Sequence, residues 1–279
     1  MPAAEGQQQK ASSRSKTQQG ADSPSATAKK QRTPGSRACL NDLYTFDSFV
    51  VYEDSRFAYQ AGLSIAQSER ALFNPLFLYG KSGVGKTHLL QAIGHEVLHQ
   101  DSSTNVVYVT GEQFANEFID ASRTQNGQSF TKLRRKYRKA DVLLVDDVQF
   151  IAGKDSTQEE FFHTFNTLVD QGKQIVISAD RAPGEIKDLE ERIKSRLQCG
   201  LVVDLHPTDY ELRLGILQSK TDAFRAQYAG LCIEPGVLEF LAHRITSNVR
   251  VLEGALQRLF AFASLMGREI TLDMTQECL

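Results

Sequence analysis

No stretch of this sequence joins the roughly eighteen apolar residues that a membrane-crossing helix needs. Its first residues are polar and include no apolar segment of the secretory kind. A cytoplasmic protein with no transmembrane segment is therefore expected. Cysteine is sparse. Cys39, Cys199, Cys232 and Cys278 lie far apart and form no C-x-x-C pair, which argues against a zinc site or a disulfide framework. Idle thiols in a reducing compartment fit better. Charge of one sign is also scarce, with a net of only −2. Nucleic-acid contact would then have to come from local patches and not from the overall field. No internal repeat is found.

What charge imbalance exists is local. Residues 1–38 hold seven basic side chains (Lys10, Arg14, Lys16, Lys29, Lys30, Arg32 and Arg37) against Glu5 and Asp22, an excess of +5, so the rest must carry −7. This segment is rich in Gln, Ser, Ala, Lys, Gly and Pro and nearly devoid of large apolar residues. It cannot bury enough surface to offset its ordering entropy. Residues 1–39 are read as a disordered basic tail or linker. The basic charge could touch DNA phosphates, and a solubilising linker explains it equally simply.

From Leu40 the pattern changes. With 279 residues, 41% of them hydrophobic and 24% charged, the chain can form one or two globular domains around a sizeable core. Short, almost continuous apolar runs at 75–79, 105–109, 141–146, 173–178 and 201–204 read as strands buried on both faces, as in a parallel sheet. Between them lie helical patterns such as Phe161, Phe162, Phe165, Leu168 and Val169, spaced to share one face. Strand–helix alternation implies an α/β fold with right-handed crossovers. After Pro207 the strands stop, and helices are predicted at about 208–228, 235–245 and 248–266. The reading is an α/β domain at 40–206, its parallel sheet flanked by helices, then a small all-helical domain at 207–279.

Gly80-Lys-Ser-Gly-Val-Gly-Lys-Thr87 fits the pattern G-x-x-x-x-G-K-[ST]. It follows a predicted strand and opens a predicted helix, the context the phosphate-binding loop requires. Backbone N–H groups made accessible by the glycines, and the start of the helix, would wrap phosphates. Lys86 is expected to reach the β- and γ-phosphates of ATP, and Thr87 to ligate Mg²⁺. A second motif is the apolar strand that ends in Asp146 and Asp147. Carboxylates at the C-terminal edge of a sheet lie where ligands of open α/β sheets bind. Asp146 is placed to hold Mg²⁺, directly or through water, and Asp147 to orient or deprotonate the attacking water. Taken without the loop, the pair would be ordinary strand-end acids.

Further segments act as a set: 44–51 (YTFDSFVV), 74–80 (NPLFLYG), Thr87-His-Leu-Leu90, 146–154 (DDVQFIAGK), 158–166 (QEEFFHTFN), 178–181 (SADR), 191–196 (ERIKSR), 247–250 (SNVR) and 252–256 (LEGAL). In this order they resemble the DnaA family of bacterial replication initiators, within the AAA+ P-loop NTPases, over about residues 40–279. The resemblance implies that Gly83, Gly85, Lys86 and Thr87 bind the nucleotide. It implies that Val50 and Val51 line the adenine pocket and that Asp180 is the sensor 1 residue watching the γ-phosphate. Arg196 would be an arginine finger inserted into a neighbouring protomer's site, and Arg250 the sensor 2 arginine of the helical lid. Arginine suits both roles because its charged fork is permanent. Taken singly, either could be a surface ion-pair partner.

The resemblance also implies a helical insertion over 112–139 that presents residues to single-stranded DNA, with Ile119 at the apolar contact position. Six of the eight residues from Lys132 to Lys139 are basic, while Phe130, Leu133 and Tyr137 recur on one face. Lys132, Arg134 and Arg135 are therefore candidate backbone contacts; a solvated helix face is the competing reading. Implied partners are origin-region DNA, single-stranded and duplex, further copies of the chain in an ATP-dependent oligomer or filament, and the replicative helicase. Anionic lipid contact is left open. Val251 stands where the family usually has glutamate, and Ser156 near where a basic residue can occur. No helix-turn-helix segment is found after the lid, so sequence-specific reading of origin boxes is not expected of these residues alone. Slow ATP hydrolysis acting as a switch is the expected activity. The alternatives are an Hda-like regulator of an initiator's hydrolysis and a non-hydrolysing helicase-loading adaptor. The tail's glutamines lack the following apolar and aromatic residues of a sliding-clamp motif, which counts against the regulator.

Overall fold

The computed structural model describes residues 40–68, 70–124, 127–206, 209–227 and 232–279. The basic segment expected at 1–39 and the break expected at Pro207 lie outside them. In chain order the elements are α1 (Glu53–Ala66), β1 (Leu76–Tyr79), α2 (Lys86–Gln100), β2 (Val106–Thr110), α3 (Gly111–Arg123), α4 (Gly127–Arg138), β3 (Val142–Asp146), α5 (Asp155–Asp170), β4 (Gln174–Ala179), α6 (Glu191–Gln198), β5 (Leu201–Asp204), α7 (Tyr210–Gln227), α8 (Val237–Arg244), α9 (Val249–Met266) and α10 (Leu272–Cys278). Single 3-10 turns follow β3 at Val148–Ile151 and β4 at Pro183–Glu185.

The five strands form one sheet in the order β2-β3-β4-β1-β5, and every pairing is parallel. All five predicted strands are present, each within a residue of its expected start. The period of two along each strand explains the layering. Phe77, Leu143, Val145, Ile175 and Ile177 project to one side, where they meet Phe114 of α3, Leu133 and Tyr137 of α4, Phe161 and Phe165 of α5, and Ile193 of α6. Their neighbours Leu76, Leu78, Val142, Leu144 and Val176 project to the other side, onto α1, α2 and the aromatic rings of Phe46 and Phe49. Each such side chain contributes about 1.5–3 kcal/mol when fully buried, which is why the strand sequences carry almost no polar residues. The few they do carry matter below.

The C-terminal helices build a separate apolar cluster. Leu252, Ala255, Leu256, Leu259, Phe260 and Ala263 of α9 recur with helical spacing and meet Leu217 of α7 and Val237 and Leu241 of α8. The start of α9 is set by Asn248, whose side chain accepts the Val251 N–H, and its end by Gly267 in the left-handed conformation. Two helices lay beyond the sequence reading, α1 and α10. The second has seven residues capped by Thr271, too short for a periodic pattern to stand out.

One glycine marks a close approach on which the sheet depends. At Gly200, just before β5, an added Cβ would lie 1.9 Å from the backbone oxygen of Pro75, just before β1. Backbone cannot step aside as a flexible side chain can. Gly200→Ala should therefore lower stability by about 2 kcal/mol or more. Gly254, inside α9, has nothing within 4 Å of such an atom, and Gly254→Ala should raise stability by ~0.5–1 kcal/mol. Thermal unfolding of the two variants beside the parent chain checks both signs.

Candidate nucleotide site

The C-terminal ends of β1, β3 and β4 open onto one cleft of about 390 Å³, within the size range of small-molecule sites. β1 delivers the phosphate-loop sequence. The loop wraps through Gly83 (φ 83°) and Gly85 (φ 97°), both left-handed, and runs into α2 at Lys86. Lys86 is 7% exposed, and its Nζ donates to the carbonyls of Gly80 at 2.8 Å and Lys81 at 3.0 Å. Burial pulls its pKa down, opposed by the charges of Asp147 and Asp146. An ammonium held beside its own loop carbonyls is poised to take stronger, anionic acceptors.

β3 delivers Asp146, 3% exposed. Three hydroxyls converge on this carboxylate. Thr87 Oγ1 donates to Oδ2 at 2.8 Å, Tyr108 Oη donates to the same atom at 3.0 Å, and Ser178 Oγ donates to Oδ1. Burial and the Asp146 charge push the Tyr108 pKa up, which keeps the phenol a proton donor. The Thr87 hydroxyl and the Asp146 carboxylate side by side are a hard, all-oxygen donor set, which fits a magnesium ion. A hydroxyl can give its proton to the carboxylate and still offer a lone pair to a cation.

Asp147 has φ 52° and ψ 57°, a conformation that costs an ordinary residue energy. Ser178 Oγ accepts its N–H at 2.8 Å, and Gln149 Nε2 donates to its Oδ1 at 3.2 Å. The strained turn swings the Asp147 side chain into the cleft while Asp146 stays beneath it. Asp180, at the end of β4, also borders the cleft. Its carboxylate takes two hydrogen bonds from Arg181, at 2.9 and 2.7 Å, and these hold its pKa below the usual range.

The far wall comes from the helical part. Arg250 lines the cleft together with Leu212, Ile216, Val249 and the Lys220–Glu253 ion pair. The start of α9 presses on the loop so closely that a Cβ on Gly83 would fall 2.7 Å from the Cβ of Asn248. At the other end, Tyr44 stacks on His88 with ring centroids 5.0 Å apart, and Phe49 meets the same ring edge-on at 5.2 Å. Burial lowers the His88 pKa, so this aromatic end is uncharged at neutral pH. Val50 lines the cleft; Val51, beside it, is 43% exposed and is not part of the lining.

Of the residues expected to act together, Val50, Gly83, Gly85, Lys86, Thr87, Asp147, Asp180 and Arg250 border one cleft, with Asp146 directly behind Thr87. Arg196 stands elsewhere, exposed on α6 and outside the lining of this cleft. The helical insertion is α3 and α4, whose Phe118 and Phe130 rings meet edge to face. Ile119 is half-buried, while Lys132 and Arg135 are exposed. Arg134 is spent differently: it makes a bidentate pair with Glu160 of α5, which also takes Arg138. Burial raises the Glu160 pKa, but the two guanidinium groups outweigh it and bring the net shift down. Lys136 and Tyr137 likewise converge on Glu117. Half of the basic residues in this stretch thus brace the insertion internally.

Tyr108 and Ser178 were not singled out in the sequence, although a signal exists. Each is a polar residue in an otherwise aliphatic buried strand, and such groups need partners.

A parallel sheet in the order 2-3-4-1-5, a phosphate loop after β1, paired acids after β3 and an arginine from a C-terminal helical part define an AAA+ P-loop NTPase. Comparison with known proteins narrows the class. Residues 40–204 match the family described as the bacterial DnaA ATPase domain. The chain is 66% identical over 242 residues to the chromosomal replication initiator protein DnaA of Cereibacter sphaeroides, covering 87% of this chain and 52% of that protein. Domain III of the Thermotoga maritima replication initiation protein DnaA superposes with a TM-score of 0.80 at 41% identity, over 86% of this chain and 97% of that one. A replication initiator DnaA bound to AMPPCP and single-stranded DNA superposes with a TM-score of 0.70 at 35% identity, over 79% and 66%. The chain belongs to the DnaA family, and it spans about half the length of the full-length relative.

Because Ser178 bonds both Asp146 and the Asp147 amide, Ser178→Ala leaves two polar groups short of a partner. The loss should be about 1–3 kcal/mol, read as a fall in the thermal midpoint of the unliganded protein.

Proposed function

We propose that this chain is the ATP-binding module of a chromosomal replication initiator, with a sheet domain at about 40–206 and a helical lid at 207–279. In this reading it binds ATP with Mg²⁺, assembles with further copies on single-stranded and duplex DNA of the origin region, and hydrolyses ATP slowly as an off-switch. The observation that carries the nucleotide part is the 2.8 Å contact between Thr87 and Asp146 inside a cleft whose far wall is the lid. Family membership carries the rest: a relative has been captured with AMPPCP and single-stranded DNA.

In this reading each residue has a role that its position supports. Loop N–H groups and Lys86 hold the triphosphate, and the aromatic end with Val50 receives the base. Thr87 and Asp146 would hold Mg²⁺, which would supply neutralisation of the phosphate charge. Asp147 orients the attacking water and accepts its proton. Asp180 is an anion beside a phosphate site, so its sensing would pass through a cation, Arg181 or Lys86, or through a bridging water. Arg250 reaches the phosphates from the lid and ties bound nucleotide to lid position. Arg196, exposed and away from its own cleft, suits insertion into a neighbour's site, which would make ATP an adhesive between protomers. Contact with the replicative helicase belongs to the same reading.

Sedimentation with ATP, with ADP and with a single-stranded oligonucleotide tests this. ATP should drive large assemblies that bind the strand, and Arg196→Ala should remain monomeric while still binding ATP. A chain that binds ATP yet stays monomeric in every condition would turn the reading toward the regulator or the adaptor.

For the strand itself, Lys132→Ala and Arg135→Ala should each weaken binding and reduce the salt dependence by about one counterion, with slope changes near 0.7. Arg134→Ala should act mainly on stability, through Glu160. Fluorescence anisotropy at several salt concentrations, beside thermal unfolding, separates these effects.

A further inference from the structure

The Tyr108 hydroxyl reaches Asp146 from β2, the strand beside β3, and donates to Oδ2 at 3.0 Å. Tyr108 itself is outside the lining of the cleft, so its bond to the carboxylate is made from behind the site.

We propose that Tyr108 is a positioning residue for Asp146. The proposal rests on the reading of Thr87 and Asp146 as the magnesium pair and assigns their orientation to a hydroxyl outside that pair. Asp146 presents two oxygens. Ser178 holds one, and Thr87 and Tyr108 share the other. With Tyr108 removed, the plane of the carboxylate is fixed only by the strand-end serine and by a threonine that must also serve the cation. Groups that hold a metal ligand in place typically change metal affinity ten- to a hundredfold when lost.

The test is magnesium dependence of nucleotide binding, measured with a fluorescent ATP analogue in EDTA and then at rising Mg²⁺. Tyr108→Phe keeps the ring and removes only the hydroxyl. It should require about tenfold more Mg²⁺ for the half-maximal gain in affinity, with binding in EDTA unchanged. Equal Mg²⁺ requirements in Tyr108→Phe and the parent, with the analogue still bound, would overturn the positioning role. A parent chain that binds no analogue at any Mg²⁺ concentration sinks the nucleotide reading and this inference with it.

Discussion

A carboxylate buried at the end of a strand is expensive unless it is fully hydrogen-bonded, and the arrangement around Asp146 follows from that constraint. Thr87, Tyr108 and Ser178 come from α2, β2 and β4, three different elements, and each turns a hydroxyl toward the same group. The sheet order makes this possible. β3 lies between β2 and β4, with Thr110 opposite Asp146 in the β2 pairing, so hydroxyls from both neighbouring strands can reach it. The phosphate loop then brings Thr87 across from β1. Asp146 therefore sits where the strands and the loop must be in register before the site exists.

The same serine that satisfies Asp146 also holds the amide of Asp147 in its strained turn. The two adjacent acids are thereby given different environments. One is buried and bonded by hydroxyls, and the other lines the open cleft. A division of labour between neighbouring carboxylates needs such a difference, since identical surroundings would give identical chemistry. Across the cleft, the start of α9 lies against the phosphate loop, with Asn248 next to Gly83. In the proposed function, this contact is the physical basis for nucleotide and lid position informing one another.

The basic insertion shows how local charge can mislead. Six of eight residues between Lys132 and Lys139 are cationic, yet Arg134, Lys136 and Arg138 are turned onto Glu117 and Glu160. Those acids come from α3 and α5, and Glu160 lies 22 residues or more along the chain from its arginines. Much of the charge thus stiffens the three-helix contact, leaving Lys132, Arg135 and Lys139 exposed.

Sequence alone determined the parts whose signal is local. Five apolar runs became five strands because a strand buried on both faces admits few polar residues. The glycine spacing defined the phosphate loop, because wrapping phosphates requires conformations that other residues resist. The helices α5, α7, α8 and α9 were legible from their period. Tertiary structure decided what depends on distant residues meeting: the strand order, the exclusion of Arg196 from its own cleft, the pairing of Arg134 with Glu160, and the convergence of Tyr108 and Ser178 on Asp146. Hydrogen bonds between side chains 32 to 59 positions apart leave no periodic trace along the chain. They arise only once the sheet sets those residues side by side.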